Sequence, residues 1–117
     1  MGDLTKNLSR HEFACKCGCG FDTMDWETVT LVQALCDRFN TKVLVHSGCR
    51  CTTYNRKVGG AKDSQHIKGR AMDISLEGVS PETVYEYLDR WNKDNLGLGL
   101  YKTFVHVDTR SSGKARW

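Results

Sequence analysis

GRAMDISL, residues 69–76, alternates apolar and polar positions behind a glycine. Successive side chains of a β-strand point to opposite faces, so Met72, Ile74 and Leu76 share one face and Ala71, Asp73 and Ser75 the other. A second short run, FVHVD at residues 104–108, has the same parity: Val105 and Val107 face one way, Phe104, His106 and Asp108 the other. If both strands belong to one sheet whose apolar face packs on helices, Asp73, His106 and Asp108 project together from the opposite face. This reading sets the fold and proposes a site.

The helices that such a face requires are legible. TMDWETVTLVQALCDRFN, residues 23–40, carries Met24, Leu31, Val32, Leu35, Cys36 and Phe39 as one helical stripe, with Asp22 or Thr23 as the expected N-cap. SPETVYEYLDRWNKDN, residues 80–95, opens with Ser80 as N-cap and Pro81 at the first helical position, and repeats Val84, Tyr87, Leu88 and Trp91 along one face. KVLVHSG, residues 42–48, reads as a strand, and LGLGLY and FVHVDTR as two strands in a hairpin about Lys102 and Thr103. The polar connection TTYNRKVGGAKDSQHIKG, residues 52–69, is long enough to be either functional or floppy. The expected fold class is α+β, an antiparallel sheet backed by two main helices, in one domain spanning residues 1–117.

Composition narrows the function. A chain of 117 residues supports one core, and 26% charged against 39% hydrophobic residues with a single proline describes a folded globular protein rather than a disordered one. The net charge of +3 comes from dispersed basic residues, with Arg56 and Lys57 the only adjacent pair, so no nucleic-acid partner is expected. No apolar run approaches the roughly 20 residues that cross a bilayer, so no membrane partner is expected either. MGDLTKNLSRHEFACKCGCG lacks the apolar stretch of a signal peptide. The expectation is a monomer made in the cytoplasm.

His66 lies seven positions before Asp73. On a continuous helix that spacing separates two residues by about 10 Å along the axis, too far to share an ion whose ligand bonds are roughly 2 Å. A turn at Gly69, the glycine between them, would fold His66 back over the strand. Two histidines and an aspartate form a ligand set for a catalytic zinc, which polarises a carbonyl and activates water for amide hydrolysis. From spacing alone, separate surface histidines remain the alternative.

The flanking residues sharpen the choice. SGCRCTTYNRKVGGAKDSQHIKGRAMDI, residues 47–74, resembles the S-G-x-R-x-x-x-x-N and G-G-x-x-x-S-x-H-x-x-G-x-A-x-D-I motif of the M15 zinc D-Ala-D-Ala carboxypeptidases and murein endopeptidases. YKTFVHVDTR and the final RW are similar to that family's C-terminal block, and LSRHEFACKCGC to the N-terminal signature of its small phage-type members. The resemblance implies a hedgehog/DD-peptidase-like fold, Zn2+ held by His66, Asp73 and His106, and a peptidoglycan peptide substrate. It also implies that Arg50 binds a substrate carboxylate or polarises the scissile carbonyl, with Ser64 in the substrate-binding loop. Strand parity agrees on Arg50, which shares a face with His46, away from Val43 and Val45, if that strand extends so far without a bulge. A lysis enzyme of a phage or prophage, acting on the wall after release or from the particle, follows from the same likeness. Non-catalytic zinc-containing binders of this fold and D-Ala-D-Ala dipeptidases are the alternatives.

Two points stay open. Many family members place an acid or histidine two or three residues before the last zinc ligand, where this chain has Phe104 and Thr103. Asp108 is the expected general base, with orientation of His106 or pairing with Arg110 as its competing role and His46 as a third candidate. Six cysteines include the run CKCGCG and the pair flanking Arg50. A thiolate metal site from Cys15, Cys17 and Cys19 with one of Cys36, Cys49 or Cys51 competes with reduced thiols or one disulfide. C-x-C spacing lacks the two-residue gap usual in structural zinc sites and favours the latter.

Overall fold

The computed structural model describes residues 4–92 and 94–117. Among these, α1 (Arg10–Phe13), α2 (Trp26–Phe39), α3 (Thr52–Lys57) and α4 (Pro81–Trp91) surround a sheet of β1 (Val43–Ser47), β2 (Ala71–Leu76), β3 (Gly97–Leu100), β4 (Val105–Asp108) and β5 (Ala115–Arg116). The strand order is β1-β2-β4-β3-β5. The first four strands pair antiparallel, as expected, and β5 adds a parallel pair to β3.

Strand parity holds. Met72, Ile74, Val105, Val107 and Leu98 are all at most 1% exposed and form the core with Val29, Val32 and Leu35 of α2 and Val84 and Leu88 of α4. The α2 N-cap is Asp25 rather than Asp22 or Thr23, so the helix starts later than its stripe suggests. Asp25 N–H instead donates to Gly69 O at 2.7 Å, tying the helix start to the turn before β2. On α4, Ser80 Oγ accepts from Thr83 N–H at 3.2 Å, as its N-cap role requires. Trp91, assigned to the buried face from periodicity, is instead 47% exposed, while Tyr87 packs edge-on against Phe39.

The N-terminal segment is part of the core. Ser9 N–H donates to Glu12 Oε1 at 2.8 Å, closing a capping box on α1, and Leu8 and Phe13 are buried. Cys49 N–H donates to Phe13 O at 2.7 Å, and a Cβ at Gly48 would lie 2.4 Å from Phe13 Cβ. Glycine at 48 therefore lets the N-terminal segment press against the chain leaving β1. The long polar connection holds α3 and successive tight turns through residues 61–69.

Candidate active site

Asp73 and His106 sit directly opposite each other on the adjacent strands β2 and β4. Their side chains meet at 2.9 Å between Asp73 Oδ1 and His106 Nδ1. The other ring nitrogen, Nε2, lies 2.7 Å from Asp108 Oδ2. Room on this face comes from β3, where Gly97 and Gly99 are the cross-strand neighbours of Asp108 and His106. A Cβ at Gly97 would fall 2.3 Å from Asp108 Oδ2, and one at Gly99 2.4 Å from Trp117 Nε1.

His66 reaches this pair through the turn expected at Gly69, which has φ +67°. Ile67, Lys68 and Gly69 N–H groups donate back to Ser64, Gln65 and His66 carbonyls, winding the segment tightly. Ser64 Oγ accepts from His66 N–H at 3.1 Å, so it shapes the loop. His66 Nδ1 is 2.7 Å from Gly48 O, which accepts only if Nδ1 carries the proton. Nε2 is then left with its lone pair, buried and without a hydrogen bond, 3.3 Å from Asp73 Oδ1.

An orphaned buried nitrogen is costly unless something occupies its lone pair. His66, Asp73 and His106 offer ligand atoms within 4.8 Å of one another, so they could hold a metal ion. Each imidazole has its other nitrogen fixed, His66 by a backbone carbonyl and His106 by a carboxylate, an arrangement that sets the tautomer for coordination.

Arg50 also reaches the site, though not by the strand parity expected of it. The β1–β2 register shifts between Val45 and Ser47, and the strand ends before Arg50. Its backbone N–H donates to His66 O at 3.1 Å. Its guanidinium donates to Ser47 Oγ and Asn55 Oδ1, each at 3.1 Å, and approaches Asp73 Oδ2 at 3.4 Å. His46 turns elsewhere, with Nε2 2.9 Å from Ser75 Oγ and its ring against Phe104.

Asp108 is fully buried and densely paired. It accepts from Arg110 Nε at 2.8 Å and Nη2 at 2.7 Å, and from the Gly97 and Arg110 N–H groups at 3.2 Å each. Burial opposes its ionisation, but Arg110 and then His106 outweigh that and hold its carboxyl well below the usual carboxylate range. Asp73 is likewise lowered against burial, chiefly by its hydrogen bond with His106. Burial pulls His106 down, while its bonds to Asp108 and Asp73 prevail and raise it. The site therefore favours a cation between its two carboxylates.

One family profile, Peptidase M15, matches residues 6–108. The chain belongs to the Peptidase M15 family. Among curated proteins it is similar to the probable peptidoglycan L,D-endopeptidase MepK of Haemophilus influenzae, 36% identical over 77 residues, covering 60% of this chain and 40% of that protein. It is also similar to the peptidoglycan L,D-endopeptidase MepK of Escherichia coli K12, 35% identical over 54 residues, covering 46% of this chain and 30% of the relative. The chain thus aligns with less than half of each relative's length. No solved structure matches it significantly.

Sequence reasoning missed the role of the C-terminus. Trp117 ring lies 5.0 Å from that of His106, and its indole N–H donates to Tyr101 Oη at 2.8 Å. Tyr101 stacks on Phe104 at 4.6 Å between centroids, so an aromatic wall borders the site. The period-two glycines of LGLGLY were the available clue, since strand glycines mark close approach.

Proposed function

We propose that this chain is a zinc metallopeptidase that hydrolyses peptide bonds of bacterial peptidoglycan stem peptides or cross-links next to a D-amino acid. The observation that carries the reading is His66 Nε2, a buried lone pair without a partner beside Asp73 and His106. His66, Asp73 and His106 would hold the ion. When bound, zinc supplies Lewis acidity and lowers the pKa of water to about 7.

The chain's own residues do the rest. Gly48 O fixes His66 and Asp108 fixes His106, so each imidazole would have its other nitrogen free for an ion. Arg50, braced by Ser47 and Asn55, offers a fork of N–H donors to a stem-peptide carboxylate or the scissile carbonyl. Tyr101, Phe104 and Trp117 supply apolar area along the peptide. Ser64 acts by shaping the loop under His66 rather than by touching substrate. Asp108 differs from its sequence-based expectation as general base: buried, and engaged by Arg110, Gly97 and His106, it acts as a positioning residue for His106.

The test is hydrolysis of purified muropeptides and sacculi, with products identified by mass. The names of the relatives make L,D bonds the first to examine. A chelator should abolish turnover and zinc restore it; activity surviving chelation and His66→Ala refutes the assignment. Assaying free D-Ala-D-Ala in parallel separates a dipeptidase from a wall enzyme. The commitment of Asp108, with Thr103 and Phe104 where the family resemblance implies a proton-transfer group, favours one second reading: a zinc-containing wall binder without turnover. Full zinc occupancy with sacculus binding and no product supports that second reading. We assign the activity to phage or prophage lysis, delivered to the wall by release or by the particle. Lysis on expression with a membrane-permeabilising partner tests this, and intact cells under those conditions refute it.

A further inference from the structure

Away from the histidines, the six cysteines separate into two groups. Cys36 and Cys49 are buried, and burial pushes their thiols up to about 11 and about 12. Cys49 Sγ donates to Thr23 O at 3.4 Å. Cys15, Cys17, Cys19 and Cys51 instead converge, with all four sulfurs within 4.8 Å of one another. Two edges of this cluster measure 3.5 Å, from Cys15 to Cys17, and 3.6 Å, from Cys17 to Cys51. Four sulfurs at about 2.3 Å from a tetrahedral zinc lie roughly 3.8 Å apart, whereas disulfide-bonded sulfurs are about 2.05 Å apart. The spacing is that of a coordination shell.

The backbone is shaped for the same purpose. Cys15 N–H donates to Phe21 O at 2.8 Å and Gly18 N–H to Cys15 O at 3.3 Å, winding residues 15–21 into a closed knuckle. Gly18 and Gly20, at φ +83° and +93°, let the chain turn twice within it. This winding brings sulfurs at C-x-C spacing onto one centre, which a two-residue gap would otherwise do. Backbone N–H groups point at sulfur: Cys51 N–H to Cys15 Sγ and Tyr54 N–H to Cys51 Sγ, each at 3.4 Å.

We propose that Cys15, Cys17, Cys19 and Cys51 form a second, structural metal site that holds zinc in a tetrathiolate shell and ties the N-terminal segment to the turn carrying Arg50. Cys51 follows Arg50 directly and caps α3, which carries Asn55, a guanidinium partner of Arg50. The site would therefore brace Arg50 through Cys51 and α3. It stands independently of the peptidase reading.

The test uses the full chain purified under reducing conditions. Elemental analysis should find two zinc ions per chain, one of which persists in His66→Ala. Cobalt substitution should give an intense near-ultraviolet thiolate-to-cobalt charge-transfer band that His66→Ala keeps and that Cys19→Ser and Cys51→Ser lose. Should those variants fail to fold, stoichiometry and spectrum of the parent protein decide. Loss of all zinc in His66→Ala, absence of the charge-transfer band, or an intact mass showing the cluster oxidised to disulfides overturns the proposal.

Discussion

Asp108→Asn separates the two roles open to that carboxylate. Asp108 is buried and surrounded by donors: Arg110 Nε, Nη2 and N–H, Gly97 N–H and His106 Nε2. Asparagine keeps one acceptor oxygen and replaces the other with an NH2. If its oxygen stays with Arg110, the NH2 faces His106 Nε2, which must then accept, so the ring proton moves to Nδ1, the nitrogen facing Asp73. That tautomer cannot bind a metal through Nδ1. Losing a hydrogen bond to a charged group costs about 1.5–3 kcal/mol, equivalent to roughly 10–100-fold in zinc affinity. Arg110 also loses its counter-charge, but its side chain is 21% exposed, so destabilisation should fall below the roughly 3–5 kcal/mol of a fully buried broken pair. The assay pairs zinc affinity, by chelator competition, with hydrolysis at increasing zinc. Affinity should fall and saturating zinc should recover most activity. Parental zinc affinity with kcat reduced about 100-fold or more, irrecoverable at any zinc concentration, would refute the positioning role and restore Asp108 as general base.

Three further outcomes follow from the same geometry. Gly60→Ala would put a Cβ 2.0 Å from Asn55 Oδ1 and 2.9 Å from Arg50 Nη1. It should raise KM for carboxylate-bearing stem peptides about 10-fold while zinc content stays unchanged. In the metal-free protein, Asp108 ionises below its unfolded value of about 3.9, so its stabilising contribution is complete above that pH and lost as pH falls toward the folded value. Urea unfolding should show a steep acid limb that Asp108→Asn flattens; an unchanged limb contradicts the pairing. Leu98→Ala, at a fully buried position on β3, should cost about 2–5 kcal/mol, read as a lowered denaturant midpoint with unchanged slope.

Strand parity was enough to place Asp73 and His106 on one face, because their strands are regular and the apolar partners Met72, Ile74, Val105 and Val107 leave one register that buries them. The same parity failed at Arg50, where a bulge near His46 and an early strand end carry the chain away from the sheet. Alternation puts Asp73, His106 and Asp108 on the opposite face without saying what covers it, and all three are buried there. Their cover comes from the 48–70 segment and the C-terminal Trp117, long-range packing that alternation in a single strand does not encode. Neither α1 nor α3 spans enough residues to show a period, and both depend on capping and tertiary contacts. Convergence of Cys51, rather than Cys36 or Cys49, on the CKCGCG knuckle likewise follows from how Gly48 admits Phe13.

The two halves of the histidine site rest on different parts of the scaffold. Asp73 and His106 hang from interior strands of the sheet, whose amides exchange with solvent only when the core comes apart. His66 hangs from a run of tight turns outside the sheet, the sort of segment that opens locally at lower cost. Deuterium uptake through residues 61–69 should accordingly outpace that of β2 and β4. The ion would then enter and leave by a brief loosening of the His66 turn, with the Asp73–His106 pair intact as a standing half-socket that keeps its shape between visits.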